Sequence, residues 1–170
     1  PGDMAILDLD SFELRIDHYF RPTPRIKVAP ILEVGNDLHR LLRHSASNRT
    51  MGDVPICTMF SGGIDSLLTS FYVLDSIDFK RVDYTPTGYV YAVEDYVSED
   101  VRRAKVAAEG FHEIGFELKE IRSSGEQLVE DIPDIVTTFE TRRIKALSVY
   151  PLPIYYYLAP VMHDDGFKVT

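Results

Sequence analysis

The residues with the clearest chemical content are Ser61-Gly62-Gly63-Ile64-Asp65-Ser66. Two adjacent glycines let a backbone approach a bulky anion closely and take φ values that side chains resist. Ser61 and Ser66 add hydroxyl donors, and Asp65 adds a carboxylate that a bare polyphosphate would repel. These features agree if a hard cation lies between Asp65 and the phosphates, so the predicted ligand is Mg-ATP or its pyrophosphate, with Asp65 on the Mg²⁺. A match to S-G-G-x-D-S arises by chance on the order of once in several thousand chains of this size. The plainer alternative is a strand-to-helix turn in which Asp65 only faces the helix dipole. A Walker loop is excluded, because the G-x-x-x-x-G-K-[ST] spacing and its lysine are absent.

A phosphate loop of this kind needs a strand before it and a helix after it, since the new helix supplies unpaired N–H groups and the positive end of its dipole. Both are legible. Val54 to Phe60 is a nearly continuous apolar run, and Ile64 to Leu74 carries apolar residues at helical spacing. Further strands are predicted at Gly88 to Val93, Phe116 to Ile121 and Phe167 to Thr170. Between them lie predicted helices from Ser98 to Ile114, from Ser124 to Phe139 with a bend or break at Pro133, and from Ile154 to His163, which Gly166 stops. Alternating strands and helices predict a doubly wound parallel α/β sheet with helices on both faces and a ligand site beyond the carboxyl ends of the strands.

Upstream, Met4 to Phe20 alternates in period two around Asp8-Leu9-Asp10-Ser11 and reads as a β-hairpin. Pro22, Pro24 and Pro30 mark a connector, and Ile31 to Ser45 has the spacing of an amphipathic helix. The expected organisation is a hairpin over 1–20, a linker over 21–30 and an ATP-binding domain over 31–170.

The chain has 170 residues, 45% hydrophobic and 26% charged, which fits a packed domain rather than a disordered or coiled-coil chain. Eighteen Lys and Arg against 27 Asp and Glu give a net charge of -9, which argues against nucleic acid or an anionic membrane as partner. No run approaches the roughly 20 apolar residues of a membrane span. No basic stretch followed by an apolar one opens the chain. A single cysteine, Cys57, rules out an internal disulfide and a cysteine-built zinc site, so a reducing, cytoplasmic setting is expected. The opening Pro1 and the closing strand-like Phe167 to Thr170 read as cut ends.

Taken with its surroundings, Ser61 to Ser66 resembles the pyrophosphate loop of the N-type ATP pyrophosphatases, whose fold is called adenine nucleotide alpha hydrolase-like. The flanks narrow the resemblance to the synthetase domain of asparagine synthetases and β-lactam synthetases. Gly52-Asp53-Val54-Pro55 is similar to the family's S-D-V-P, Val90 to Val93 stands where the family has F-S-I-G, and Ser98 to Ala104 stands in place of S-D-E-x-x-x-A. Glu140-Thr141 resembles the family's E-T, Pro153-Ile154-Tyr155 its P-M-Y, and the hairpin the strands that close a preceding glutaminase domain.

The resemblance implies an ATP-dependent amide-forming ligase. A carboxylate substrate, aspartate or an analogue, is adenylated with release of pyrophosphate, and ammonia or an amine then displaces AMP. By residue, Ser61, Gly62, Gly63 and Ser66 would hold pyrophosphate, Asp65 would ligate Mg²⁺, and Val93 would contact adenine, with Met59 and Phe60 walling the nucleotide. Glu140 would handle the incoming amine. The implied partners are the remainder of the synthetase domain and a glutaminase domain, and a homodimer is compatible with the pattern. Departures are Leu67 for a usual serine, Glu94 for a usual glycine, and a family arginine with which Arg142, Arg143 and Lys145 do not align. The second phosphate segment, S-G-x-G-x-D-E, and a later catalytic lysine would follow Thr170, and the amidotransferase's N-terminal cysteine is not at Pro1.

Other candidates read as structural. Cys57 inside a strand is a small buried apolar residue, and no pair among His18, His39, His44, His112 and His163 has H-E-x-x-H spacing. His163-Asp164-Asp165 is a solvated helix end, and Tyr150 and Tyr155 to Tyr157 are core or interface aromatics. A sulfur-transfer or tRNA-modifying relative is disfavoured by the lone cysteine and the acidic balance, and a noncatalytic ATP-binding relative is the remaining alternative.

Overall fold

A three-stranded parallel sheet, extended by one isolated bridge, forms the frame that carries the glycine loop. In this computed structural model the described residues are 2–24, 28–94, 96, 98–139 and 151–170. They divide into two units, Pro1–Asp37 and Leu38–Thr170.

The smaller unit holds the predicted hairpin. Strands β1 (Asp3–Leu7) and β2 (Leu14–His18) pair antiparallel, with Ala5 opposite Ile16 and Leu7 opposite Leu14. The turn is made by Asp8, whose Oδ1 accepts from the Asp10 and Ser11 backbone N–H groups at 3.0 and 2.8 Å. This local ring is the usual reason for an aspartate at such a position. Helix α1 (Ile31–Ser47) follows the proline connector and crosses the division between the units.

The larger unit runs β3 (Thr58–Met59), α2 (Ile64–Asp75), β4 (Thr87–Val93), α3 (Glu99–Glu109), β5 (Glu117–Ser123), α4 (Gly125–Thr138) and α5 (Leu152–Asp164). β3 pairs with β4 and β4 with β5, all parallel, in the register Met59↔Tyr89 and Tyr89↔Lys119. On the other side of β3, Val169 bridges Ile56 in parallel, and Cys57 N–H donates to the Val169 carbonyl at 3.0 Å. The sheet order is therefore Val169 segment, β3, β4, β5. The chain steps outward from β3 and then returns to β3's opposite side, which makes the gap between β3 and Val169 the topological switch point.

Alternation along β4 sends side chains to two separate cores. Tyr89 joins Cys57, Leu158, Met162 and Phe167 on the α5 face, with Tyr91 packed against them. Val90 and Ala92 join Phe60, Val101 and Ala104 on the α3 face. Helices on both faces are thus required by the apolar residues on both faces. The expected doubly wound α/β sheet is the observed one.

Some boundaries differ from expectation for identifiable reasons. α3 ends at Glu109, and the predicted last turn is a separate 3₁₀ segment, His112–Ile114, closed by Gly115 at φ 72. α4 continues through Pro133 without a break. Proline removes there only the donor to the carbonyl four residues earlier, and the helix holds on either side of it, with Thr137 Oγ1 donating to the Pro133 carbonyl at 2.8 Å. α5 ends as foreseen at Gly166, with φ 91. Phe167 N–H donates to the Met162 carbonyl and Gly166 N–H to that of His163, a left-handed cap sealed by contact of Phe167 with Met162.

Candidate nucleotide site at the switch point

The predicted strand, loop and helix are present in that order. β3 ends at Met59, the loop spans Phe60 to Gly63, and α2 begins at Ile64. Phe60 is fully buried among Phe111 and Phe116, and its N–H donates to the Tyr89 carbonyl at 2.7 Å. Burying such a ring contributes about 2–3 kcal/mol, so Phe60 fixes the loop's entry point. Its ring faces the α3 core, which leaves its backbone as the part available to a nucleotide. Met59 points the other way and lines the cavity described below.

The two glycines do different work. Gly62 has φ 76, and a Cβ there would lie 2.3 Å from the Asp100 carbonyl oxygen and 2.7 Å from Ala104 N. It is glycine because the loop sits directly on the α3 backbone, not because a ligand must approach it. Gly63 is the N-cap of α2 with an ordinary φ of -73, and a Cβ there would meet only Ser61 Oγ, at 3.6 Å. No side chain caps this helix, so its first N–H groups stay open toward the loop. Leu67 N–H is already engaged with the Gly63 carbonyl at 3.0 Å.

Ser61 Oγ and Ser66 Oγ lie 2.9 Å apart, and Ser66 Oγ donates to the Gly63 carbonyl at 3.0 Å. Two hydroxyls and an uncapped helix N-terminus converging at one point suit an anion. Both serines line a cavity of about 540 Å³ that opens at the switch point. Its walls are β3, the Ser66, Thr69, Ser70 and Val73 stripe of α2, Ile154 and Tyr155 of α5, and Val169. Spacings of three and four residues put that α2 stripe on one face.

Asp65 is exposed in the first turn of α2 and lines a different groove, shared with Leu42, Ser45 and Arg49 between α1 and α2. Among the described residues no three His, Cys, Asp or Glu side chains group to hold a metal. A single carboxylate at the loop therefore fits Mg²⁺ only as it travels with phosphates, completing its shell with their oxygens and water. Val93 ends β4, and its backbone is close to the last residue of β5 through the Val93↔Ser123 register. Glu94 N–H donates to the Ser123 carbonyl at 3.0 Å, so the strand pairing continues through the residue that departs from the family's glycine. Glu140, Arg142, Arg143, Lys145 and Tyr150 lie outside the described residues.

Sequence reading missed several cavity residues, Thr58 and Arg49 among them. Thr58 on β3 is buried, and its Oγ1 has no hydrogen-bond partner among the described residues. Arg49, just past α1, borders both the cavity and the Asp65 groove. Thr58 is a polar residue within an apolar strand, a signal that was present; Arg49 has no sequence signal. Cys57 is buried with its thiol pushed up to about 11 by desolvation, which suits the structural role expected of it.

The chain can be set beside known proteins on this geometry. It is 28% identical over 157 residues to the glutamine-hydrolyzing asparagine synthetase of Pongo abelii and 27% identical to that of Homo sapiens, in each case over 83% of this chain and 27% of the relative. It thus spans about a quarter of the length of these relatives. A solved glutamine-dependent NAD⁺ synthetase from Acinetobacter baumannii, in complex with ADP, superposes with a TM-score of 0.51 at 21% identity, over 97% of this chain and 29% of that one. That likeness is one of fold. The sequence profile of asparagine synthase matches residues 37–170, which include the loop, the cavity-lining strand and every helix of the larger unit. This chain belongs to the asparagine synthase family.

Proposed function

We propose that the chain is the nucleotide-binding part of an ATP-dependent carbon–nitrogen ligase that activates a carboxylate, aspartate or an analogue, as its acyl-adenylate. The observation that carries this reading is the Ser61–Ser66 hydroxyl pair at 2.9 Å, facing the uncapped start of α2 in the switch-point cavity. Membership of the asparagine synthase family and the likeness in fold to a synthetase bound to ADP support it.

In this reading the Ser61 and Ser66 hydroxyls give up their bonds to Ser66 Oγ and the Gly63 carbonyl and turn to donate to pyrophosphate oxygens, and the α2 N–H groups add their dipole. The carboxylate oxygen attacks the α-phosphorus, the bond to pyrophosphate breaks, and an amine then attacks the acyl carbon and expels AMP. Asp65 would help to hold a Mg²⁺ that arrives with the phosphates, and that ion would supply positive charge against the leaving pyrophosphate. Met59 and the backbones of Phe60 and Val93 form the adenine side, and Glu140 accepts a proton from the amine. A glutaminase domain and the rest of a synthetase domain are the partners this chemistry calls for.

Titration of the protein with ATP in the presence of Mg²⁺ tests the reading. Asp65→Asn and Ser61→Ala are each expected to weaken binding roughly tenfold or more, the size of a lost charge-assisted contact. Pyrophosphate is expected to appear only with ATP and the right carboxylate together. Unchanged ATP affinity in both variants would remove the loop from its assigned role.

A further inference from the structure

Among the described residues that line the switch-point cavity, Arg49 is the only one with a charged side chain. Its Nη1 donates to the Ser45 carbonyl at 3.0 Å and to Ser45 Oγ at 2.6 Å. Both acceptors are neutral. By contrast Arg43, Arg81 and Arg102 meet carboxylates at 2.9, 3.1 and 2.8 Å. Among the described residues Arg49 has no carboxylate partner, although Asp65 borders the same neighbouring groove.

A guanidinium is a planar fork of five donors that cannot be deprotonated in a protein. With Nη1 turned toward Ser45, the edge bearing Nη2 and Nε retains the geometry for a planar two-oxygen anion. The nearby walls add the neutral hydroxyls of Ser66, Thr69 and Ser70 on one face of α2, and among the described lining residues there is no acidic side chain.

We propose that Arg49 anchors an anionic oxygen group of the ligand that fills this cavity. The inference deepens the ligase reading and rests on it for the ligand's identity. The anion is either the carboxylate of the acceptor substrate or a phosphate of the nucleotide, and one experiment separates them. The competing role for Arg49 is structural, closing α1 through the Ser45 carbonyl, and it predicts an effect on stability alone.

Calorimetric titration of the protein with ATP, inorganic pyrophosphate and L-aspartate, for the wild type, Arg49→Ala, Arg49→Lys and Ser45→Ala, provides the test. Arg49→Ala is expected to weaken at least one probe roughly tenfold or more, and Arg49→Lys to recover part of that loss. Equal losses for ATP and pyrophosphate assign the anion to a phosphate, whereas a loss for aspartate with ATP unchanged assigns it to the acceptor carboxylate. Ser45→Ala, which keeps the charge and loosens its aim, is expected to fall between. Affinities within twofold of wild type for all three probes, with only a lowered Tm, overturn the proposal. If Ser61→Ala and Asp65→Asn leave ATP binding intact while an Arg49-dependent anion affinity persists, the ligase reading falls and the Arg49 assignment stands.

Discussion

The rings of Tyr91 and Tyr157 stack with centroids 5.2 Å apart and planes 4° from parallel, joining β4 to α5 near the carboxyl edge of the sheet. Their hydroxyls diverge: that of Tyr91 pairs with Ser123 Oγ at 2.6 Å, and that of Tyr157 donates to Asp131 Oδ2 at 2.6 Å. One stacked pair thereby ties β4, β5, α4 and α5 together just below Val93. Burial, reinforced by the hydrogen bond to Asp131, raises the Tyr157 phenol and keeps it neutral.

Removing the Tyr157 hydroxyl tests this tie. Tyr157→Phe keeps the stack but takes away a charge-assisted donor, and is expected to cost about 1.5–3 kcal/mol. Tyr157→Ala also loses the ring and is expected to cost about 3–5 kcal/mol. Urea denaturation of both variants separates the two contributions, and a Tyr157→Phe variant as stable as wild type would show that the Asp131 bond contributes nothing.

The adjacent glycines of the loop are expected to separate stability from ligand binding. Gly62→Ala must relieve a Cβ 2.3 Å from a helix carbonyl at φ 76, so it is expected to lower stability by about 2 kcal/mol or more. Gly63→Ala has room and an ordinary φ, so its stability is expected to stay within about 0.5 kcal/mol of wild type. Its methyl group nevertheless projects beside Ser61 Oγ, and ATP affinity is expected to drop. Thermal unfolding and ATP titration of the two variants decide it; equal destabilisation would mean that the loop is not seated on α3 as described.

Much of this is legible in the sequence. Strand, Gly-Gly loop and helix follow directly from the apolar run to Phe60, the two glycines and the spacing of Ile64 to Leu74, because local pattern and final structure agree there. The hairpin turn was equally local, being written in Asp8 and Ser11. What escaped depends on partners distant in sequence. The reason for Gly62 lies in Asp100 and Ala104, the burial of the Phe60 ring depends on Phe111 and Phe116, and the exposure of Arg49 to a cavity depends on Val169 returning to β3. Pro133 differs for another reason: a single proline reads as a break, but it costs the helix one hydrogen bond, which the flanking turns of α4 outweigh. Glu140, assigned on resemblance alone, lies outside the described residues.

Acid and alkali are expected to destabilise the protein through one cluster. Tyr89 donates to Asp165 Oδ2 at 2.5 Å, and Lys119 Nζ reaches the same oxygen at 2.7 Å. Lys119 and Tyr89 hold the Asp165 carboxyl below its ordinary value, so its contribution is present above about pH 4 and is lost as pH falls through the folded value. Burial, reinforced by Asp165, raises the Tyr89 phenol, so the unfolded chain ionises first and stability declines above about pH 10. Asp165→Asn is expected to be less stable than wild type at pH 7, with the gap closing toward pH 3. A gap that stays constant across that range would exclude the linkage.

Cys57 is expected to report unfolding rather than function. It is 1% exposed, its Sγ is 3.7 Å from the Val169 carbonyl, and desolvation raises its thiol to about 11. At pH 8 such a thiol carries on the order of one thiolate in a thousand, whereas an unfolded chain carries roughly one in four. Iodoacetamide at pH 8 is therefore expected to label the native protein at least about a hundredfold more slowly than the protein in urea. Since Cys57 donates across the Val169 bridge, the labelling rate also follows opening of that bridge, which is the wall of the cavity that holds Arg49. Arg49→Ala leaves the bridge intact and is expected to label at the wild-type rate. Prompt labelling of the native wild type would show instead that the segment carrying Val169 does not cover β3 in solution.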